Sequence, residues 1–375
     1  MELSQINCDY MYDLIKHYNS NKKEINKTIE KILSKGVLEM GDEVYKFEDN
    51  FKKYCGAKYC LTVSSGSMGL LLALRALDIK VNDQVITVAN SDIPTSHAIT
   101  LVGADIKWID VNEKTFNLNE NLLEKNISKK TKVILPVHLF GNPANIKKIR
   151  LLSQKYNLKI VEDACLATGA EFENKKIGSF ADITVFSTNP GKILDGIGPG
   201  GIVTTNNKVL FETLKKLRDY GRSSRPSKWP VKSELVGYNA KMSTINAAVL
   251  DLRLKYLEEY IEKRNQNAKL YQNILDSKKI KFQFVLPKCK SSWRNFSIRL
   301  KNRNEIYSQL YDKKIRIALG YLPINYKDAY YRKFNKNIRL RVTEKISSEI
   351  INLPCHQYMT EKEIVKISKK ILALI

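Results

Sequence analysis

The chain has 375 residues, 43% of them hydrophobic, enough to bury a large core and to form two domains, and no apolar run approaches the roughly 18 residues that span a bilayer. Its 63 basic and 39 acidic residues give a net charge of +24. The basic residues are scattered over many helical stretches with no block interleaved with aromatics, so the charge argues for an anionic small molecule, such as a phosphorylated substrate, and not for nucleic acid or a membrane.

Taken in chain order, the N-terminal segment (1–35) opens MELSQINCDYMYDLIK, without the basic-then-apolar order of a secretory signal, which predicts a soluble cytoplasmic protein. From residue 55 to about 220, strand and helix patterns alternate. YCLTVSS (59–65) reads as a strand and SMGLLLALRAL (67–77) as a buried helix. DQVITVA (83–89), ADIKWIDV (104–111) and KVILPVHLFG (132–141) read as strands. IKKIRLLSQKYN (146–157) has helical periodicity, LKIVEDA (158–164), ADITVFST (181–188) and GIVTTN (201–206) are strands, and VLFETLKKLRDYG (209–221) is a helix ended by glycine. Such alternation predicts an α/β fold, a mainly parallel sheet between helices. The stretch 244–275 reads as one long amphipathic connector helix, and KIKFQFVL and SWRNFSIRL beyond it suggest a smaller α/β domain. The expected division is a large domain over 36–243 and a connector with a small domain over 244–375. Six cysteines (Cys8, Cys55, Cys60, Cys165, Cys289, Cys355) show no CxxC spacing, which predicts reduced thiols and no metal site.

Ligands of open parallel sheets bind at the carboxyl ends of strands, and three features fall there. SSGSMG (64–69) turns a strand into a helix; Gly66 permits close approach, and the N–H groups of Ser67 and Met68 suit a phosphate, although an ordinary helix capped by Ser65 or Ser67 has the same pattern. IVEDAC (160–165) places Glu162 and Asp163 after apolar residues, so that one carboxylate is buried and needs a cationic partner, either a ligand or a nearby Lys or Arg. FSTNPGKILDGIGPGG (186–201) turns at Asn189-Pro190-Gly191 and holds Lys192 on stiff, nearly uncharged ground, where a partly desolvated lysine can form a Schiff base with a carbonyl. A phosphate cradle, a carboxylate and an imine-forming lysine together make the protein's side of a pyridoxal 5′-phosphate (PLP) site.

These stretches, with VLEMGDEVYKFEDNFKKYCGAKYC, QVITVANSD, LRDYGR, GYNAKMSTINAAVL and IINLPCHQYMTEKEI, resemble the sugar aminotransferases of the DegT/StrS group, fold-type-I PLP enzymes, over residues 36 to 375. The resemblance implies that Lys192 binds PLP covalently and that Asp163 faces the pyridine nitrogen. It implies that Ser187, Gly66, Ser67 and Met68 hold the phosphate, with Asn189 in the turn that presents the lysine. Asn239 matches the residue that reaches the phosphate of the neighbouring subunit, which implies a homodimer with shared sites.

The chain departs from the pattern at five places. Asp92 stands where an aromatic ring usually stacks on the cofactor, Leu166 where a glutamine usually bonds its phenolic oxygen, and Thr168 where histidine is common. GDGG reads Gly198-Pro199-Gly200-Gly201, and NYR reads Asn239-Ala240-Lys241. His97 is the nearest ring in its own stretch, though a plain helix-face histidine fits equally. The resemblance implies transfer of an amino group from L-glutamate to a keto or aldehyde sugar linked to a nucleotide, with Arg222, Lys232 and Lys241 as candidates for meeting a diphosphate. The rival readings are a PLP-dependent sugar dehydratase, whose members carry histidine in place of Lys192, and a catalytically silent regulator on the same fold.

Overall fold

The computed structural model describes residues 11–222, 231–313, 315 and 317–375. Three helices lead the chain, α1 (Leu14–Ser20), α2 (Lys22–Lys35) and α3 (Asp42–Cys55). The α/β region follows: β1 (Tyr59–Val63), α4 (Gly66–Ala76), β2 (Gln84–Thr87), α5 (Ile93–Leu101), β3 (Asp105–Trp108), β4 (Thr131–Ile134), α6 (Ile146–Lys155), β5 (Lys159–Asp163), a small hairpin of β6 (Glu171–Phe172) and β7 (Lys175–Lys176), β8 (Ile183–Ser187), β9 (Gly201–Thr205) and α7 (Lys208–Arg218). The expected strands and helices form within about three residues of their predicted bounds, except that the strand expected over 132–141 stops at Ile134, two residues before Pro136. Every residue of β8 and β9 is buried, as is Leu70 to Leu74 of α4, the pattern of a sheet covered by helices on each side.

The main sheet has seven strands in the order β1-β9-β8-β5-β4-β2-β3. Neighbours from β3 through β8 pair in parallel. β9 differs: it runs antiparallel to both β8 and β1. Residues 188 to 200 contain no helix, and without a crossover the chain can only fold back beside the strand it has just left. β1 and β8 therefore point the same way, and the carboxyl ends of β1, β2, β4, β5 and β8 share one edge.

Beyond residue 243 the expected long helix is two, α8 (Thr244–Leu254) and α9 (Leu257–Ile274). Lys255 and Tyr256 keep right-handed helical angles, but their N–H groups bond three residues back, to Leu252 and Arg253, and this tighter turn interrupts the α-ladder. Neither glycine nor proline marks the break, so periodicity runs straight through it. α8 buries Val249 and Leu250, and Ala247, Leu250, Leu257 and Ile261 belong to the large core, whereas the second core begins at Ala268. The change of core thus falls inside α9. That second core packs α9 against an antiparallel sheet of β10 (Lys281–Phe282), β11 (Phe296–Arg299) and β12 (Ile350–Leu353), with α10 (Arg303–Asp312) and α12 (Glu361–Leu372) around it, whereas α11 (Arg341–Glu349) turns Ile346 into the large core. α12 begins with a reciprocal cap between Thr360 and Glu363, worth about 1 kcal/mol.

Among the described residues Cys55, Cys60, Cys165, Cys289 and Cys355 are free thiols; Cys8 lies outside them. Among the described residues no helix is long and apolar enough to cross a membrane.

Candidate active site

A cavity of about 280 Å³ opens at the shared strand edge, lined among others by Ser65, Gly66, Ser67, Asp92, Asp163, Leu166, Ser187, Asn189 and Lys192. Lys192 is half-buried. Its position is set by a left-handed residue, Gly191 at φ +84°, and by the bond from Lys192 N–H to the Asn189 carbonyl at 3.0 Å. A side chain at residue 191 would be strained by that φ. The loop is pinned from below: Gly191 N–H donates to Asp195 Oδ2 at 3.0 Å, and Asp195 Oδ1 takes His17 Nε2 at 2.8 Å and Arg253 Nη1 at 3.0 Å.

Asp163 is the last residue of β5 and is 5% exposed. Thr95 Oγ1 donates to its Oδ2 at 2.7 Å and the Cys165 N–H to its Oδ1 at 3.1 Å. Both donors are neutral, and among the described residues no cation pairs with this carboxylate. The adjacent Glu162 faces the other way, accepting from Thr184 Oγ1 at 2.6 Å with His138 Nε2 at 3.6 Å. The period of the strand thus separates a structural carboxylate from one that opens to the cavity. A buried carboxylate without a charged partner calls for a cation from a ligand, and a protonated pyridine nitrogen meets that need.

The phosphate end is a turn of close approaches. A Cβ on Gly66 would lie 2.9 Å from both Cys165 Sγ and Ser187 Cβ, so only glycine lets this backbone sit against the end of β8. Gly66, Ser67 and Ser187 line the cavity. Met68 does not: its N–H is taken by Ser65 Oγ at 3.1 Å, and its side chain packs against the core. Ser65 caps α4 while Gly66 and Ser67 stay on the cavity wall, where they could take a phosphate. Asn239 is exposed and does not line the cavity of its own chain; it bridges to Asp219. The residues present fit PLP.

Other departures find local roles. The Gly198–Gly201 loop is held by Asn246, which accepts from Ile197 N–H at 2.9 Å and donates to the Pro199 carbonyl at 3.1 Å. Lys241 is committed to Asp219 at 2.8 Å and Glu39 at 3.4 Å, which removes it from the candidates for a substrate diphosphate. His97 is exposed and lies beside Tyr331, 6.0 Å between ring centroids, so it supplies no ring to the cavity.

Thr95 and Tyr321 were not legible as site residues. Thr95 is a buried position one turn into α5, and Tyr321 comes from the far end of the chain. Tyr321 lines the cavity and stacks on Phe140, 5.8 Å apart and 3° from parallel. Burial pushes its hydroxyl pKa well up, and the negative charge of Asp92 adds to this. Asp92 itself sits exposed at the N-terminus of α5, accepting from Ile93 N–H at 2.9 Å. Asp92→Tyr combined with Leu166→Gln is expected to restore a stack and a hydrogen bond to the cofactor ring, each roughly 0.5–1.5 kcal/mol. Loss of pyridoxamine phosphate (PMP) after incubation with glutamate should slow by about one to two powers of ten. Equal or faster loss would show that Tyr321 and its neighbours already hold the ring.

A mainly parallel sheet with lysine, carboxylate and glycine turn at one strand edge defines a fold-type-I, PLP-dependent enzyme. The chain belongs to the DegT/DnrJ/EryC1/StrS aminotransferase family, whose model matches residues 19–372. It is 32% identical over 367 residues, 98% of this chain and 96% of the relative, to the dTDP-3-amino-3,6-dideoxy-alpha-D-galactopyranose transaminase of Aneurinibacillus thermoaerophilus. Its fold is similar to that of S. venezuelae DesV in complex with a ketimine intermediate, with a TM-score of 0.93, 29% identity and coverage of 97% of this chain and 98% of that one. It also resembles NtdA from Bacillus subtilis with bound cofactor PMP, with a TM-score of 0.90, 26% identity and coverage of 100% and 86%.

Proposed function

We propose that this PLP-dependent aminotransferase moves an amino group from L-glutamate to a keto carbon of a nucleotide-linked sugar, in amino-sugar biosynthesis, and that it works as a homodimer. The observation that carries the reading is the single cavity joining Lys192 to a buried Asp163 that no described cation neutralises. The sugar acceptor is supported by the relative that acts on a dTDP-linked sugar.

Bound in this cavity, PLP supplies an electrophilic carbon for the amino group and a ring that withdraws electrons from it. Lys192 Nζ takes the proton from the donor's α-carbon and delivers one to the sugar carbon in the return half. Asp163 keeps a proton on the pyridine nitrogen, and Thr95 Oγ1 with the Cys165 N–H fixes the orientation of its two oxygens. Gly66, Ser67 and Ser187 hold the phosphate at the end opposite Asp163. Lys192 argues against the dehydratase reading, which places histidine there.

A purified sample should be yellow, become PMP-loaded with L-glutamate, and return to the PLP form with one of a panel of nucleotide-linked keto sugars. A colourless, inert protein would favour the regulator reading, and conversion only by free keto sugars would remove the nucleotide. The homodimer rests on the exposed turn at Asn239, which stands away from its own cavity. Sizing at assay concentration is expected to give twice the 43.0 kDa chain mass; a fully active monomer would overturn the shared site.

A further inference from the structure

Most deeply buried arginines here are matched to protein acceptors. Arg218 pairs with Glu48 at 2.6 Å, Arg253 with Asp195 at 3.0 Å and Arg299 with Glu349 at 2.6 Å. Arg264 lacks a carboxylate but donates to Gln357 Oε1 at 2.9 Å and to the carbonyls of Trp293 and Cys355 at 3.1 and 3.5 Å. Arg294 is different. It is 7% exposed, and its guanidinium makes one side-chain hydrogen bond among the described residues, from Nη1 to Asn295 Oδ1 at 3.2 Å. Its Nε is buried with no hydrogen-bond partner, as are those of Arg218, Arg253, Arg264 and Arg303, and among the described residues Arg303, with one bond to the Ile350 carbonyl at 3.3 Å, is as sparsely matched but lies away from the lysine loop. Burial holds its pKa down to about 9, with Tyr321 as the one described group that opposes the shift. Leaving a guanidinium desolvated and nearly unpaired is costly unless an anion arrives to complete it.

The surroundings place that anion beside the reaction. The guanidinium carbon of Arg294 lies 3.2 Å from the centroid of the Tyr12 ring, and Tyr12 packs on Gly191, next to Lys192: a Cβ there would meet the ring at 3.0 Å. On the other side, Arg294 N–H donates to the Phe140 carbonyl at 2.9 Å, and the Phe140 ring stacks on the Tyr321 ring that lines the cavity. The guanidinium of Arg294 thus lies on the ring that covers the lysine loop, and its backbone is joined through Phe140 to the ring that walls the cavity. We propose that Arg294 is the receptor for a carboxylate of the amino donor. The planar fork of a guanidinium suits a carboxylate by two parallel hydrogen bonds, and a donor bound this way brings its amino group to the Lys192 side. The proposal rests on the aminotransferase reading above and names the group that recognises its donor.

The test compares the PLP-loaded parent with Arg294→Met and Arg294→Gln, reading the donor half-reaction by absorbance and the binding of glutarate, a dicarboxylate without an amino group, by calorimetry. Removing one partner of a desolvated charge pair should raise the glutamate KM and the glutarate Kd by roughly 100-fold, with PLP content and melting temperature close to the parent's. Two neutral replacements of different shape are used so that a failure of one to fold leaves the other to decide. A folded variant with parental PLP content whose KM and Kd stay within about twofold would overturn the role of Arg294 and leave it as a support for Tyr12. A parent that no amino acid converts to the PMP form would instead sink the aminotransferase reading itself.

Discussion

Lys192→Gln is expected to lower single-turnover conversion of the PLP form by glutamate about 10⁴-fold, the upper end of what loss of a positioned proton-transfer group costs. The substitution should leave the loop in place. The loop is held by groups other than the lysine side chain, namely Asp195 on the Gly191 N–H, with His17 and Arg253 on that carboxylate. A half-buried side chain exchanged for a shorter polar one leaves this network untouched, so the loss is chemical and not one of stability. Two readouts make the assignment specific. Borohydride treatment of the parent, followed by peptide mapping, should tag the peptide carrying Lys192 and no other. The variant should still take up PLP through the phosphate turn but release it on dialysis. A tag on another lysine, or a variant within about tenfold of the parent, would remove Lys192 from the centre of the reaction.

What could be read from the sequence was local. LKIVEDA and ADITVFST announce themselves because fully buried parallel strands are continuous apolar runs, and the strand each forms ends at a polar residue of the cavity wall, Asp163 and Ser187. Lys192 was legible because one lysine amid Pro190, Gly191 and the glycines after it has no surface role to play. The rest depended on what meets what. The reversed direction of β9 follows from the missing crossover, which strand composition does not encode. Which of Glu162 and Asp163 faces the ligand was settled by the pleat. Tyr321 and Arg294 come from the C-terminal part of the chain, about 160 and 130 residues after Asp163, and nothing in LGYLP or SSWRNF names the cavity they approach. Met68 illustrates the opposite error: its N–H is at the right turn, but the side chain of Ser65 bonds it first.

Asp163→Asn separates electronics from binding. The geometry predicts that asparagine fits. Its carbonyl oxygen can take the Cys165 N–H that now donates at 3.1 Å, and its amide can donate to Thr95 Oγ1, which simply reverses the role it has at 2.7 Å, since a hydroxyl both gives and accepts. The Thr95 O–H must turn to a new acceptor, a modest cost, and the side chain keeps its volume, so fold and cavity should persist. What disappears is the charge. An ion pair at contact distance, in an environment of effective dielectric about 20, is worth about 4 kcal/mol, and losing it removes the reason for the pyridine nitrogen to stay protonated. At 1.4 kcal/mol per power of ten, transamination should fall by roughly a thousandfold. PLP content should fall far less, because the phosphate turn at Gly66, Ser67 and Ser187 and the link to Lys192 are both intact. The measurement is the ratio of the two losses: activity per bound PLP, with bound PLP determined after alkaline release. If activity and cofactor decline together, Asp163 is a structural anchor between α5 and β5, and its missing cation must be sought elsewhere. If activity per bound PLP falls alone, the carboxylate acts on the ring, and the protonated nitrogen it stabilises is what draws electrons from the carbon that Lys192 deprotonates.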